Sequence, residues 1–232
     1  NPLIAWEGAD PAATANLIVQ SAFLSAGQRC SCARRLIVPD TPAGQAMIDA
    51  LEALSRRLVM GPFTADPEPF MGPLVSARAA NQGREMLAHL ETFGGRTLLA
   101  PRFDGAFMSP ALVDMTAAGP APDEEFFGPL LQIYRAPNFE AALDRAAATR
   151  FGLSGGVISP DPAAFEAARA RLRIGVLNWN RPTTGASGAL PFGGPGLSGN
   201  FRPSAYYAAD YCAWPMAQQT TPTTLPLPAQ GI

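Results

Sequence analysis

The chain contains no lysine; all 17 of its basic residues are arginine. Schiff-base catalysis and a Walker phosphate loop both need a lysine amine, so both are excluded. Histidine is almost as scarce, with His89 the single one. A zinc site would have to be assembled from His89, carboxylates and three scattered cysteines, without a second C-x-x-C or H-x-x-x-H element, so no metal is expected. Three cysteines form no paired framework, which points to the reducing cytoplasm. Charged residues make up only 16%, so part of the surface is expected to rest against another domain or subunit. A net charge of -2 supplies no electrostatic reason to bind nucleic acid or an anionic membrane. No apolar stretch approaches the roughly 20 residues that span a bilayer. The opening Asn1-Pro2-Leu3-Ile4-Ala5-Trp6-Glu7 lacks the basic region of a signal peptide, and without an initial Met it is expected to belong to a longer protein.

What is left for chemistry is Cys, Asp and Glu, Ser and Thr, Tyr and the backbone amides. At 232 residues and 47% hydrophobic, the chain can bury a substantial core. Asp10-Pro11, Thr41-Pro42, Ser76, Asn138 and Asp161-Pro162 each read as the start of a helix. The first of these helices is expected to run to about Ser25, stopped by Gly27; the third carries His89 on its flank, as a surface or boundary residue. Strand-like segments occur at Arg35–Val38, Thr97–Ala100, Ala111–Met115, Leu130–Tyr134, Ser154–Ser159 and Val176–Trp179. This alternation predicts an α/β domain with a mainly parallel sheet and flanking helices. Residues 181–204 form a long Gly-, Pro- and Ser-rich loop, Tyr211–Met216 reads as one last strand, and the polar, Pro-rich tail from Gln218 is expected to be solvated.

Three segments invite a functional reading. Gly27-Gln28-Arg29-Cys30-Ser31-Cys32 puts a thiol just after a glycine break, where exposed backbone N–H groups can stabilise a thiolate or an oxyanion. A buried structural cysteine is the competing reading of Cys30 at this point. Cys32 and Cys212 are read as structural, on packed strands. Gly194-Pro195-Gly196-Leu197-Ser198-Gly199 matches G-x-G-x-x-G in letters only: a long loop precedes it, Pro203 follows, and position 219 is Gln where an acid is required. Asp123-Glu124-Glu125-Phe126-Phe127-Gly128-Pro129 sets three acids against two aromatics, either as a solvated loop or as a ligand-facing one.

Phe23-Leu24-Ser25-Ala26-Gly27-Gln28-Arg29-Cys30, Glu125-Phe126-Phe127-Gly128-Pro129, Asn178-Trp179-Asn180 and Pro191-Phe192-Gly193-Gly194 together resemble the aldehyde dehydrogenase superfamily, over residues 1 to about 216. The resemblance implies that Cys30 attacks the aldehyde, that Glu125 holds the nicotinamide ribose hydroxyls and that Phe127 packs near the cofactor. That cofactor is NAD, with NADP left open. It further implies a cysteine domain over 1–210, an oligomerisation strand over 211–217 that joins subunits of a homo-oligomer, and a tail over 218–232. The nucleotide-binding domain, the oxyanion-hole Asn and the general-base Glu of the family would then lie upstream of Asn1. Cys30-Ser31-Cys32-Ala33-Arg34-Arg35-Leu36 and the stretch from Arg202 to Met216 look most like the branch whose members oxidise N-succinylglutamate 5-semialdehyde in arginine breakdown. Thr183-Thr184-Gly185-Ala186-Ser187-Gly188-Ala189 resembles the loop that anchors such aldehydes, and Ser31 would add a further hydrogen bond, so Ser31, Thr184, Gly185, Ala186 and Ser187 are the candidate substrate contacts. Nearby arginines are the alternative partners for the substrate carboxylates. A dehydrogenase for another glutamate-type semialdehyde, a cysteine-dependent acyl-transfer module and a non-catalytic oligomerisation fragment remain as competing readings.

Overall fold

The computed structural model describes residues 1–224, 226 and 231. Its strands in chain order are β1 (Pro2–Ala5), β2 (Arg35–Pro39), β3 (Arg96–Leu99), β4 (Phe103–Asp104), β5 (Phe107–Met108), β6 (Ala111–Asp114), β7 (Leu130–Ala136), β8 (Ser154–Ile158), β9 (Val176–Trp179), β10 (Pro191–Phe192) and β11 (Ser204–Ala205). The helices are α1 (Pro11–Phe23), α2 (Pro42–Arg56), α3 (Ala77–Thr92), α4 (Phe139–Ala147), α5 (Pro162–Arg171) and the short α6 (Ala208–Cys212). Seven strands form one sheet in the order β3-β6-β7-β2-β1-β8-β9, parallel except where β3 meets β6. The expected α/β architecture with a mainly parallel sheet is therefore the one observed.

The helices begin where the caps place them. Asp10 Oδ1 accepts from Ala13 N at 2.8 Å, Asn138 Oδ1 from Ala141 N at 2.8 Å, Asp161 Oδ1 from Ala163 N at 2.9 Å and Ser76 Oγ from Ala79 N at 3.2 Å. Each satisfies one N–H that the first helical turn leaves without a partner. α1 packs on α2, and α4 packs on β1, β2, β7 and α5. β1, β6 and β8 are buried at every residue, the pattern of a parallel sheet covered on both faces. Phe23, Leu3, Ile4, Ile18, Leu36, Ile37 and Leu51 are the larger side chains at its centre.

The structure corrects several expectations. The opening residues are β1, an interior strand between β2 and β8; four apolar residues without alternation carry no period from which to recognise one. α1 stops at Phe23 because Ser25 and Ala26 adopt left-handed angles, φ 56 and 55°. Tyr211–Met216 is not a strand. α6 takes Ala208–Cys212, and the extended chain from Ala213 (φ -132°, ψ 148°) pairs with no strand among the described residues. A strand exists only as half of a ladder, and no sheet edge among the described residues meets the segment. Trp214 and Met216 are 93% and 78% exposed as a result. The long loop at 181–204 carries the small antiparallel pair β10–β11. Residues 218–224 are exposed, while positions 225, 227–230 and 232 of the expected tail lie outside the described residues. Among the described residues no helix is long and apolar enough to cross a membrane.

Candidate active site

The cysteine turn follows directly from the end of α1. Ser25, Ala26 and Gly27 are successively left-handed, with Gly27 at φ +68°, and they swing the chain back toward the sheet. Such angles cost a non-glycine residue about 1–2 kcal/mol, so the turn depends on ties to its surroundings. Gly27 is required twice over. Besides its φ, a Cβ there would lie 2.2 Å from the carbonyl oxygen of Gly128. The cysteine turn and the Glu125–Pro129 segment thus touch backbone to backbone.

Past the turn the three thiols separate. Cys30 is exposed and Cys32 is buried, its Sγ 3.8 Å from the Leu24 carbonyl oxygen, and burial pushes the Cys32 thiol up from its ordinary pKa. Neither Cys32 nor Cys212 lies on a packed strand as expected: Cys32 sits in the turn and Cys212 is exposed in α6. The N–H groups of Cys30 and Ser31 have no acceptor among the described residues, whereas Cys32 N donates to Arg29 O at 3.1 Å and Ala33 N to Ser21 O at 2.9 Å. An open thiol beside unengaged amides is the arrangement that nucleophilic attack on a carbonyl uses.

Two residues that the sequence reading missed hold this turn. Arg34 is only 6% exposed. Its Nη1 donates to Gly27 O at 2.7 Å and Gly128 O at 3.3 Å, its Nη2 to Arg29 O at 3.2 Å, and its Nε to Glu125 Oε1 at 3.1 Å. The Asn1 side-chain amide donates to Cys30 O at 2.7 Å and Cys32 O at 2.9 Å, while its oxygen accepts from Ser154 N at 3.2 Å. The only hint in the sequence was the pair Arg34-Arg35 entering a buried strand. Two guanidiniums there must find acceptors, and Arg35 takes the C-terminal carbonyls of α4, those of Arg145, Ala146 and Ala148.

Cys30, Asn1, Arg34 and Glu125 line one cleft of about 460 Å³. A second, wider cleft of about 840 Å³ runs beside it between α3 and the acidic segment, walled by Gln82, Met86, Glu125, Phe126 and Phe127. Phe127 is 46% exposed, with the Arg34 guanidinium 5.1 Å from its ring centroid. His89, expected as a bystander, lines this second cleft, its ring edge-on to Phe93. Glu125 borders both clefts. Cys30, Glu125 and Phe127 are therefore brought together.

The anchor-loop residues divide. Thr183 and Thr184 are buried against the end of α1: Thr183 N donates to Ser21 Oγ at 3.1 Å and Thr184 Oγ1 to Gln20 O at 3.2 Å. Gly185, Ala186 and Ser187 are exposed and line a separate cleft with Asn178 and Arg181. Arg29 links the two regions, its Nη1 3.5 Å from Thr184 O. Ser31, next to Cys30 in the turn, is 6% exposed.

The group of Asn1, Cys30, Arg34 and Glu125 lies at the amino ends of β1, β2 and β7, since Asn1, Arg34 and Pro129 each immediately precede those strands. Nucleotide-binding α/β sheets place their ligands at the carboxyl ends, whereas here the amino ends carry the turn with the exposed Cys30. The sequence profile of the Aldehyde dehydrogenase family matches residues 1–214. The chain belongs to the aldehyde dehydrogenase family. Among aldehyde dehydrogenases, an N-succinylglutamate 5-semialdehyde dehydrogenase of Caulobacter sp. (strain K31) is 58% identical over 94% of this chain, which spans 45% of that relative's length. Among solved structures, 1-pyrroline-5-carboxylate dehydrogenase from Thermus with bound NAD superposes with a TM-score of 0.75 at 32% identity, covering 84% of this chain and 38% of that one. The NADP complex of glyceraldehyde-3-phosphate dehydrogenase from Methanocaldococcus jannaschii DSM 2661 superposes with a TM-score of 0.81 at 25% identity, covering 90% of this chain and 45% of that one.

Proposed function

We propose that this chain is the cysteine-bearing half of a dehydrogenase that oxidises N-succinylglutamate 5-semialdehyde to N-succinylglutamate, a step of arginine degradation, with Cys30 as nucleophile. The observation that carries the reading is the exposed Cys30 beside unengaged amides, joined to the acidic segment through Gly27 and Arg34. The 58% identity to a relative of that name supports the substrate.

NAD, or NADP, fits the residues present. Glu125 keeps Oε2 without a partner among the described residues, an acceptor for a ribose hydroxyl, and the half-exposed Phe127 offers an apolar face to a nicotinamide ring. When bound, the nicotinamide supplies the hydride acceptor. The Cys30 thiolate adds to the aldehyde carbon, and the resulting oxyanion takes a hydrogen bond from the Cys30 N–H. Loss of hydride leaves a thioester on Cys30, which water cleaves to the acid. We assign the deacylating base, the second oxyanion donor and the nucleotide-binding domain to other residues of a longer protein, consistent with a chain that spans 45% of its relative. Residues 1–210 then act as the cysteine domain, and 211–217 pair with a second copy. Gly185, Ala186 and Ser187, on the exposed part of the anchor loop, direct amide and hydroxyl groups at a substrate carboxylate, while the buried Thr184, its hydroxyl given to Gln20 O, props that loop against α1 and the buried Ser31 supports the cysteine turn. Three unpaired cysteines suit a cytoplasmic setting.

The test is NADH formation by the full-length protein with N-succinylglutamate 5-semialdehyde and with a plain aliphatic aldehyde. The reading expects a far higher kcat/KM for the succinylated substrate and no activity in Cys30→Ala. Equal kcat/KM for both aldehydes would refute the substrate assignment.

A further inference from the structure

We infer that Arg34 is a positioning residue that couples nucleotide binding at Glu125 to the reactivity of Cys30. The inference rests on the reading of Glu125 as the ribose acceptor. Arg34 spends its N–H groups on both loops at once: Gly27 O and Arg29 O on the nucleophile turn, Gly128 O and Glu125 Oε1 on the acidic segment. A guanidinium has five N–H groups in a fixed fork, so its bonds to the two loops cannot be adjusted independently. At 6% exposure, solvent does not replace a contact that is lost. The turn it holds is strained at Ser25 and Ala26 and therefore sensitive to loss of a tie. Glu125 engages Arg34 through Oε1, leaves Oε2 without a partner among the described residues and lines both clefts. A hydroxyl bound to Oε2 draws on the same carboxylate that Arg34 holds. A shift of that carboxylate thus reaches the carbonyls on either side of Gln28, two residues before the thiol. Asn1 grips the same turn at Cys30 O and Cys32 O, yet its side chain bonds to nothing on the acidic segment.

The experiment measures the alkylation rate of Cys30 by peptide mapping in the full-length protein, with and without saturating NAD, while a fluorescence titration reports NAD affinity. In the wild type NAD changes the rate by about fivefold or more, the lower range of ordinary site-to-site coupling. In Arg34→Met that ratio collapses to about one, at NAD concentrations raised to restore saturation. Arg34→Lys keeps the charge near Glu125 but not the fork, so it loses the ratio while holding NAD more tightly than Arg34→Met does. Glu125→Gln, which leaves Arg34 and the turn in place, collapses the ratio from the other end and decides the matter even where the Arg34 variants unfold. An unchanged ratio in Arg34→Lys or in Glu125→Gln overturns the coupling, as does a wild type whose rate ignores NAD. Unaltered NAD affinity in Glu125→Gln instead overturns the ribose assignment beneath it.

Discussion

Substituting Gly27 by Ala tests whether the contact between the cysteine turn and the acidic segment holds the site together. Two penalties add there. At φ +68° an L residue costs about 1–2 kcal/mol, and the new Cβ would lie 2.2 Å from Gly128 O and 2.5 Å from its carbonyl carbon. Backbone cannot rotate aside as a side chain can, so displacing Gly128 costs about 1–3 kcal/mol more. The sum, about 2–5 kcal/mol, is a large share of the roughly 5–15 kcal/mol that stabilises a folded domain. Gly105 is the control: its φ is +54° and a Cβ added there would meet nothing within 4 Å, so Gly105→Ala pays only the angular part. In urea, with a slope of roughly 2–3 kcal/mol per molar, Gly27→Ala should lower the midpoint by about 1–2 M and Gly105→Ala by about half a molar. Equal shifts in the two variants would show that the Gly27–Gly128 approach contributes nothing, and the account of how the turn is held would fail.

The remaining predictions concern thiols, acid and association. Brief iodoacetamide treatment of the folded chain should label the exposed Cys30 and Cys212 well ahead of Cys32, as burial and the raised Cys32 pKa dictate; labelling of Cys32 at the rate of Cys30 would contradict the placement of both. Burial alone would raise the Asp114 pKa, but hydrogen bonds from Thr116 and Arg96 and the nearby Arg135 outweigh it and hold the carboxyl below its usual range. Its stabilising contribution is then full above about pH 4 and lost as pH falls through the lower folded value, so the Tm gap between wild type and Asp114→Asn should shrink on acidification. A gap independent of pH would refute the assignment. Sedimentation should show the chain self-associating through the exposed Trp214 and Met216, and Trp214→Glu with Met216→Glu should yield monomer; a wild-type monomer would mean that 211–217 makes no intersubunit contact on its own.

Much of the fold was legible because its signals are local. A cap such as Asp10 or Ser76 declares itself within three residues, and apolar runs such as Leu36–Val38 can only be buried. β1 escaped because Pro2–Ala5 is short and has no period, and its central place depends on partners more than 30 residues away. Tyr211–Met216 failed in the opposite direction: its composition suits a strand, but no strand among the described residues pairs with it. At the site, the motifs around Cys30 and Glu125 were readable by resemblance. Their connection was not, because Arg34 reaches 91 residues along the sequence to Glu125 and Asn1 reaches 29 to Cys30. Nor did sequence order reveal that Gly185–Ser187 face a different cleft from the thiol.

The central claim is that Cys30 is the nucleophile, and the most direct measurement traps the covalent intermediate. The chain is mixed with p-nitrophenyl acetate, which acylates a thiolate without any cofactor, quenched in acid and mapped by mass spectrometry. The account predicts one acetyl group, on the peptide carrying Cys30, and none in Cys30→Ala. Acetylation found on Cys32 or Cys212 while Cys30 stays free would contradict it.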